Sequence, residues 1–316
     1  MPSRKYITVP LIIGSITMLA SGIGAFYSLQ SKAIYNPDSP VGSRKHVAKP
    51  SEFGINYIQV TLVTEDNVKI RAFVCKRLGE EEASNRPTIL MFHGNGGNMG
   101  HRLSIAERFY KDFKCNVVLL SYRGYGRSEG SPSEKGICLD AQKILDYIKE
   151  DEILKNTKLI IYGQSLGGSV AIDLISRNGE KKIDALILEN TYLSIPKLLP
   201  EIFPTFKCLS FLCTETWRSD EKILTIQKNF PMLFLSGNKD QIVPSYHMKE
   251  LFELARTTTN NVPSITSANA NNDDNKIFKE FENGDHNDTF SQPGYFEVIK
   301  EFLHNKCFVI IDKQEE

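Results

Sequence analysis

The sequence has few of the residues and patterns that would indicate a disulfide-rich or metal-binding protein. Its 316 residues include six cysteines and one tryptophan. The cysteines have no regular spacing, and Cys208 and Cys213 are the only close pair, so a disulfide scaffold is not predicted. Neither Cys-x-x-Cys nor His-Glu-x-x-His occurs. We therefore expect free thiols and no metal site.

The chain also lacks net charge. Its 38 Lys and Arg residues are balanced by 38 Asp and Glu residues, so no basic excess attracts nucleic acid. Apolar residues make up 41% and aromatic residues 10%, which is enough for a large core and too much for a disordered chain. The length fits one large α/β domain with a short extra segment, or two average domains. An enzyme or a binding domain is expected.

Charged side chains are missing from residues 6–31, and residues 7–27 are mostly apolar. A helix of about 20 residues, rising 1.5 Å per residue, crosses a bilayer core of about 30 Å. Residues 1–31 therefore predict a single-pass membrane anchor. A cleavable signal peptide is the alternative, but its apolar part would be shorter and Ala20-Ser21-Gly22 fits a cleavage site only loosely. Flanking positive charges are nearly balanced, so neither the membrane face nor the organelle is predicted.

The rest of the chain divides by composition. Residues 32–55 are rich in proline and glycine and predict a linker. Residues 56–306 predict one α/β domain, followed by a short tail at 307–316. Within the domain, residues 192–229 are too long for a simple crossover and predict a cap. Residues 257–275 are polar and of low complexity, which predicts a disordered insertion.

Apolar runs alternate with amphipathic stretches throughout the predicted domain. This alternation predicts a mostly parallel sheet of about eight strands with helices on both faces. The first two runs resemble a hairpin and predict an antiparallel edge. The predicted strands are 57–63, 68–75, 87–92, 115–121, 158–162, 185–188, 232–235 and 277–281, and the predicted helices are 133–152 and those that begin at Leu166, after Pro244 and after Pro293.

The segment Gly163-Gln164-Ser165-Leu166-Gly167 fits the pattern G-x-S-x-G. It directly follows a predicted strand and opens a predicted helix, which is the setting of a nucleophile elbow. Small flanking residues are needed because the serine lies on a strained turn. A plain strand–helix turn or a glycine-rich phosphate turn is the alternative interpretation. We predict Ser165 as a nucleophile.

A nucleophilic serine needs a base and an acid that orients it. Asp240 and His286 follow later predicted strands, in the chain order Ser, Asp, His that α/β-hydrolases use. On its own, Asp240 could equally be a turn or cap residue. No other histidine follows a strand after both Ser165 and Asp240, and His247 is expected at the surface. The other histidines are His46, His93, His101 and His304.

The glycine-rich loop that begins at His93 completes the predicted site. A tetrahedral intermediate needs two N–H donors for its oxyanion, each worth roughly 3–4 kcal/mol. The backbone N–H groups of Leu166 and Asn95 are the expected donors. A dinucleotide site is the rival, but Met99 stands where the last glycine of G-x-G-x-x-G belongs.

With these residues in hand, the chain resembles α/β-hydrolases over residues 55–306. It is most similar to the membrane-anchored α/β-hydrolase domain-containing proteins of type 13, a group that includes bud-emergence-46-like proteins. The resemblance implies the triad Ser165, Asp240 and His286, a short cap and an N-terminal anchor; the insertion at 257–275 is longer than the group implies. The shared stretches are HGNGGN, YRGYGRSEGSPSEKG, YGQSLGGSVAI, ENTYLSIP, SGNKDQIVP, GDHNDT and QPGYF.

The expected protein is a membrane-anchored serine hydrolase that cleaves carboxylic esters or thioesters through an acyl-enzyme. The expected substrate is a small molecule, a lipid or an acylated protein, with no cofactor, metal or nucleic acid involved. A serine peptidase with the same triad and a catalytically silent membrane scaffold remain as alternatives, and the oligomeric state is not predicted. The only N-glycosylation sequon is Asn287-Asp288-Thr289, and we expect it to be unmodified because it follows the predicted base.

Overall fold

A computed structural model describes residues 30–307, except for residues 33, 180–182, 203, 205–209, 211 and 258–274. The predicted anchor at residues 7–27, nearly all of the polar insertion and most of the tail lie outside the described residues. Within the described part of the chain, no helix is long and apolar enough to cross a membrane.

Eight strands form one sheet in the order β1-β2-β4-β3-β5-β6-β7-β8. β2 is antiparallel to both of its neighbours and the remaining pairs are parallel, which confirms the mostly parallel sheet and its antiparallel edge. The strands are β1 (Ile58–Val63), β2 (Lys69–Cys75), β3 (Thr88–Phe92), β4 (Asn116–Ser121), β5 (Leu159–Gln164), β6 (Ala185–Glu189), β7 (Met232–Gly237) and β8 (Lys276–Phe281).

Helices cover both faces of this sheet. The described α-helices are α1 (Glu80–Asn85), α2 (Leu103–Glu107), α3 (Glu134–Glu150), α4 (Leu166–Asn178), α5 (Ile195–Ile202), α6 (Ser219–Lys222), α7 (Tyr246–Thr257) and α8 (Tyr295–Cys307). α3, α4 and α7 pack into the core on one face, and α2 and α8 pack into the core on the other. The sequence did not indicate α1 or α2, because five or six residues are too few to display a helical period.

α3 illustrates how the sequence sets an element. The Ser133 side chain accepts a hydrogen bond from Gly136 N at 3.1 Å and caps the helix start. Apolar residues then recur every three or four positions and face the sheet, as an amphipathic helix requires. The buried apolar residues of this face are Ile137, Ala141, Ile144, Leu145 and Ile148.

The described part of the predicted cap contains α5 and α6 and is tied to the rest of the domain. Trp217 is fully buried, and its indole N–H donates to the Tyr35 hydroxyl at 2.9 Å. The Glu134 carboxylate at the start of α3 accepts hydrogen bonds from the backbone N–H groups of Thr216 and Trp217, at 2.6 and 2.9 Å. These contacts fix the cap to the start of α3 and to the segment that precedes the sheet.

The segment expected to be a linker is packed against the domain. The Asn98 amide donates to the backbone oxygens of Ser43 and His46, at 2.8 and 2.9 Å. The Arg44 guanidinium donates to the backbone oxygens of Gly126 and Ser128, both at 3.0 Å. Since these backbone groups have fixed partners in the domain, the segment is not a free spacer.

The topology brings the predicted site together. β3 lies between β4 and β5 in the sheet although it precedes both in the chain. The loops after β3 and β5 therefore leave the sheet side by side at its carboxyl edge. Crevices at such a switch point are where α/β proteins bind ligands.

Candidate active site

Ser165 lies at the sharp turn between β5 and α4. Its backbone has φ 53° and ψ −117°, a strained conformation for a residue with a side chain. A Cβ atom at Gly167 would lie 2.1 Å from the backbone oxygen of Phe92, and one at Gly163 would lie 2.4 Å from that of Gly167. Only glycine permits this approach of helix and strand, which holds the serine at the sheet edge.

His286 and Asp240 lie next to this serine. His286 Nε2 is 3.1 Å from Ser165 Oγ, and His286 Nδ1 is 2.6 Å from Asp240 Oδ2. The other carboxylate oxygen of Asp240 accepts hydrogen bonds from the backbone N–H groups of Ile242 and Val243, both at 2.8 Å. These bonds fix the carboxylate so that it faces the imidazole. All three predicted triad residues are buried, with less than a tenth of each exposed.

Asn95 and Leu166 line one cavity with Ser165 and His286. Leu166 is the first residue of α4, where backbone N–H groups have no acceptor within the helix. The side chain of Asn95 accepts a hydrogen bond from the Tyr125 hydroxyl at 2.8 Å and donates to the backbone oxygen of Ile34. The loop after β3 is thereby held beside the serine.

The cavity has a volume of about 650 Å³ and a largely apolar wall. Its rim includes Ile202 and Ile242, which are 42% and 45% exposed. Part of the wall comes from the segment that precedes the sheet, including Ile34 and Pro40. The remaining apolar side chains of the wall are Leu166, Tyr192, Ile195, Leu198, Leu199 and Val243.

Asn190, for which the sequence predicted no role, supports the loop that carries His286. Its amide donates to the backbone oxygens of Asp285 and His286, both at 3.3 Å, and its Oδ1 accepts from Gly237 N at 2.9 Å. Its φ of 46° is one that asparagine tolerates better than most residues. A polar residue directly after a buried strand was the available signal.

A buried carboxylate lies directly behind the serine. The backbone oxygen of Glu189 accepts a hydrogen bond from Ser165 N at 2.8 Å. Its carboxylate accepts from the hydroxyls of Tyr162 and Tyr295 and from the Gln164 amide. Burial raises the pKa of Glu189 above its usual value, and these donors oppose that shift.

The structure corrects the expectation that His247 is a surface residue. Its side chain is completely buried, and its Nδ1 accepts a hydrogen bond from Leu193 N at 3.3 Å. Burial lowers the pKa of His247 to about 4. The helical pattern of α7 did not reveal this burial, because the cap covers a face of the helix that would otherwise be open.

The described cysteines, Cys75, Cys115, Cys138, Cys213 and Cys307, are free thiols. Cys208 lies outside the described residues, so its relation to Cys213 stays a prediction. Among the described residues, no three His, Cys, Asp or Glu side chains are grouped as the ligands of a metal ion would be.

Comparison with known sequences places the chain in a family. Residues 87–207 match the family described as the alpha/beta hydrolase fold. Protein bem46 of Schizosaccharomyces pombe is 43% identical over 92% of this chain and 90% of its own length. The Saccharomyces cerevisiae protein called "Uncharacterized membrane protein YNL320W" is 39% identical over 94% of this chain and 96% of its own. The Arabidopsis thaliana "Alpha/beta hydrolase domain-containing protein WAV2" is 34% identical over 93% of each.

Solved structures with the same fold are more distant in sequence. The Pyrococcus furiosus esterase Pf2001 superposes with a TM-score of 0.66 at 20% identity, over 83% of this chain and 96% of the esterase. An alpha-beta hydrolase from Vibrio vulnificus superposes with a TM-score of 0.65 at 18% identity, over 88% and 94%. At these identities the likeness establishes the fold alone. Taken with the curated relatives, it shows that the chain belongs to the α/β-hydrolase family, alongside bem46 and WAV2.

Proposed function

We propose that the protein is a serine hydrolase that cleaves carboxylic ester or thioester bonds. The observation that carries this proposal is the hydrogen-bonded chain from Ser165 Oγ through His286 to Asp240 Oδ2. Ser165 and His286 line a largely apolar cavity, and Asn95 and Leu166 line the same cavity. A nucleophile, a base, an orienting acid and oxyanion donors are the parts that acyl transfer requires.

The proposed reaction has two half-reactions. His286 Nε2 takes the proton of Ser165 while Oγ attacks the carbonyl carbon, and the backbone N–H groups of Leu166 and Asn95 stabilise the oxyanion. Collapse breaks the bond to the alcohol or thiol, which leaves with the proton held by His286. Water then attacks the acyl-enzyme with His286 as base, and the acid product and free Ser165 result. Asp240 holds the imidazole tautomer and stabilises the imidazolium throughout.

We further propose that the enzyme is anchored in a membrane by residues 7–27 and acts on a lipid or an acylated protein. Ile34 lines the cavity and lies seven residues beyond Tyr27. Seven extended residues span at most about 25 Å, so an anchored protein keeps its cavity close to the bilayer surface. The apolar wall and the exposed Ile202 and Ile242 at the rim suit an acyl chain. The word "membrane" in the yeast relative's name supports the same proposal.

Labelling with a fluorophosphonate probe tests the nucleophile. We expect the full-length protein to label and to hydrolyse 4-nitrophenyl esters, and Ser165→Ala to lose both properties while it stays folded. Ser176→Ala is a matched control. The Ser176 hydroxyl donates a hydrogen bond to the Asp173 backbone oxygen within the same helix, and Ser176 does not line the cavity.

Intact protein that never labels would contradict the proposal and favour a silent scaffold. Labelling that persists in Ser165→Ala would mean that another residue is the nucleophile. Faster cleavage of peptide amides than of matched esters would identify a peptidase instead.

A further inference from the structure

One positive charge stands alone in the wall of the catalytic cavity. Among the described residues that line it, Arg102 is the only lysine or arginine, and no aspartate or glutamate is present. Two histidines also line the cavity: His286, which is hydrogen-bonded to Ser165 and Asp240, and His101. Burial and the nearby Arg102 charge lower the pKa of His101, so Arg102 carries the fixed charge of this wall.

The Arg102 side chain makes no hydrogen bond and no ion pair with the described residues, and its Nε atom is buried without a hydrogen-bond acceptor. Arg102 interacts electrostatically with the Glu189 carboxylate. That carboxylate already accepts hydrogen bonds from Tyr162, Tyr295 and Gln164. A guanidinium that lines a cavity and pairs with no carboxylate can take an acceptor from a ligand through its Nη groups.

The guanidinium also lies close to the nucleophile. A Cβ atom at Gly94 would be 3.6 Å from Arg102 Nη2 and also 3.6 Å from Ser165 Cβ. Arg102 Nη2 and Ser165 Cβ are therefore separated by no more than twice that distance. A group bound by Arg102 would belong to the same small molecule as the carbonyl attacked by Ser165.

We propose that Arg102 binds an anionic group of the substrate, so that the preferred substrate is an ester with a carboxylate or phosphate a few bonds from the scissile carbonyl. A planar guanidinium matches the two oxygens of either group. The neutral, apolar remainder of the wall strengthens this contact, since no other charge competes for the anion. This inference rests on the proposed function, because it assigns the anion to the substrate of the hydrolase.

Three esters of equal chain length test the proposal by kinetics. They are 4-nitrophenyl hexanoate, the mono-4-nitrophenyl ester of adipic acid, and the hexanoate with a phosphate at its far end. We expect the full-length protein to prefer at least one anionic ester, and the better of the two identifies the anion. Arg102→Gln should lower kcat/KM for that ester by about tenfold or more, mainly through KM, and should lower kcat/KM for the hexanoate by much less. Arg102→Lys should restore part of the loss.

Arg127→Gln is the matched control, because it removes the same charge from an exposed residue outside the cavity. It should change none of the three rates, and raised salt should weaken only the anionic preference. No preference for either anionic ester, or an equal loss on all three esters in Arg102→Gln, would overturn the proposal.

A binding measurement separates this inference from the proposed hydrolase function. Calorimetry with monomethyl adipate and with butyl phosphate on Ser165→Ala needs no turnover. We expect Ser165→Ala to bind at least one of these two compounds. The double variant Ser165→Ala/Arg102→Gln should bind it about tenfold or more weakly. Binding that is unchanged by Arg102→Gln refutes the anion site even if Ser165 is catalytic. Binding that depends on Arg102, in a protein that never labels at Ser165, refutes the hydrolase and leaves an anion-binding cavity.

Discussion

Asn190 donates a hydrogen bond to the backbone oxygen of His286 and accepts one from the backbone N–H of Gly237. One side chain thus joins the end of β7, which leads to Asp240, to the loop that carries His286. Asp240 and His286 are 46 residues apart in the chain, so their 2.6 Å contact depends on connections of this kind.

We expect Asn190→Ala to lower kcat by about ten- to a hundredfold with little change in KM, because the imidazole loses its fixed position. It should also destabilise the protein by about 1–3 kcal/mol, since Gly237 N would be buried without an acceptor. Steady-state kinetics and thermal unfolding measure the two effects. Asn283→Ala, an exposed change in the same loop, is the control. An unchanged kcat in folded Asn190→Ala would show that the loop holds its position without this bridge.

Asp240→Asn should keep the shape of its loop and lower kcat by about 10⁴, the size of the tautomer effect known for serine proteases. Asp285 and Asp288 are the alternative acids, but their carboxylates accept hydrogen bonds from the backbone N–H groups of Asn287 and Asp285. Asp285→Asn and Asp288→Asn should therefore leave kcat within about tenfold. A near-normal rate in Asp240→Asn, with a large loss in either of the others, would assign the acid differently.

His247 should make the folded protein sensitive to acid. Its pKa is lowered to about 4 in the folded state, whereas a histidine in an unfolded chain has a pKa of about 6.5. Between these values the unfolded state binds a proton that the folded state does not, so stability falls as the pH is lowered from about 6.5 to about 4. The contribution is fully present above pH 6.5 and amounts to about 3 kcal/mol at most.

We expect His247→Asn, which keeps an acceptor for Leu193 N, to flatten the dependence of Tm on pH across that window. His304→Asn, an exposed change on α8, is the control. Identical slopes for the wild-type protein and His247→Asn would mean that His247 becomes protonated without unfolding.

Asn287 should carry no glycan in active protein. It is exposed and lines the cavity, so a bulky glycan there would obstruct entry of the substrate. Endoglycosidase treatment of the membrane-extracted protein should produce no change in mobility. A shift that disappears in Asn287→Gln, in a preparation that still labels with fluorophosphonate, would refute the obstruction and place the domain on the lumenal side.

The sheet was predictable because its central strands are buried on both faces and read as continuous apolar runs, such as β4 and β5. Ser165, Asp240 and His286 were predictable as candidates because each lies in the loop after a predicted strand, and parallel strands end at one edge of a sheet. Local sequence carried this information without any knowledge of distant contacts.

The roles of Arg102 and His247 could not be assigned from the sequence, because their surroundings come from distant parts of the chain. His247 is buried by the cap segment around Leu193, and Arg102 and Ser165 come to lie on either side of Gly94 only after β3 and β5 become neighbours. The packing of residues 34–55 was missed for the same reason. The prolines and glycines of this segment are typical of a linker, but the segment packs along the surface of the domain.

The wall contributed by Ile34, Asn36, Ser39 and Pro40 sets a limit on how far the protein can be shortened. A truncation that starts at β1 would retain every strand and every proposed triad residue, yet it would leave one side of the cavity open to water. It would also remove the Tyr35 hydroxyl, which accepts a hydrogen bond from the Trp217 indole N–H. A fragment that keeps this side of the cavity closed therefore has to include Gln30, whose side chain contacts Leu212 and Thr214 of the cap.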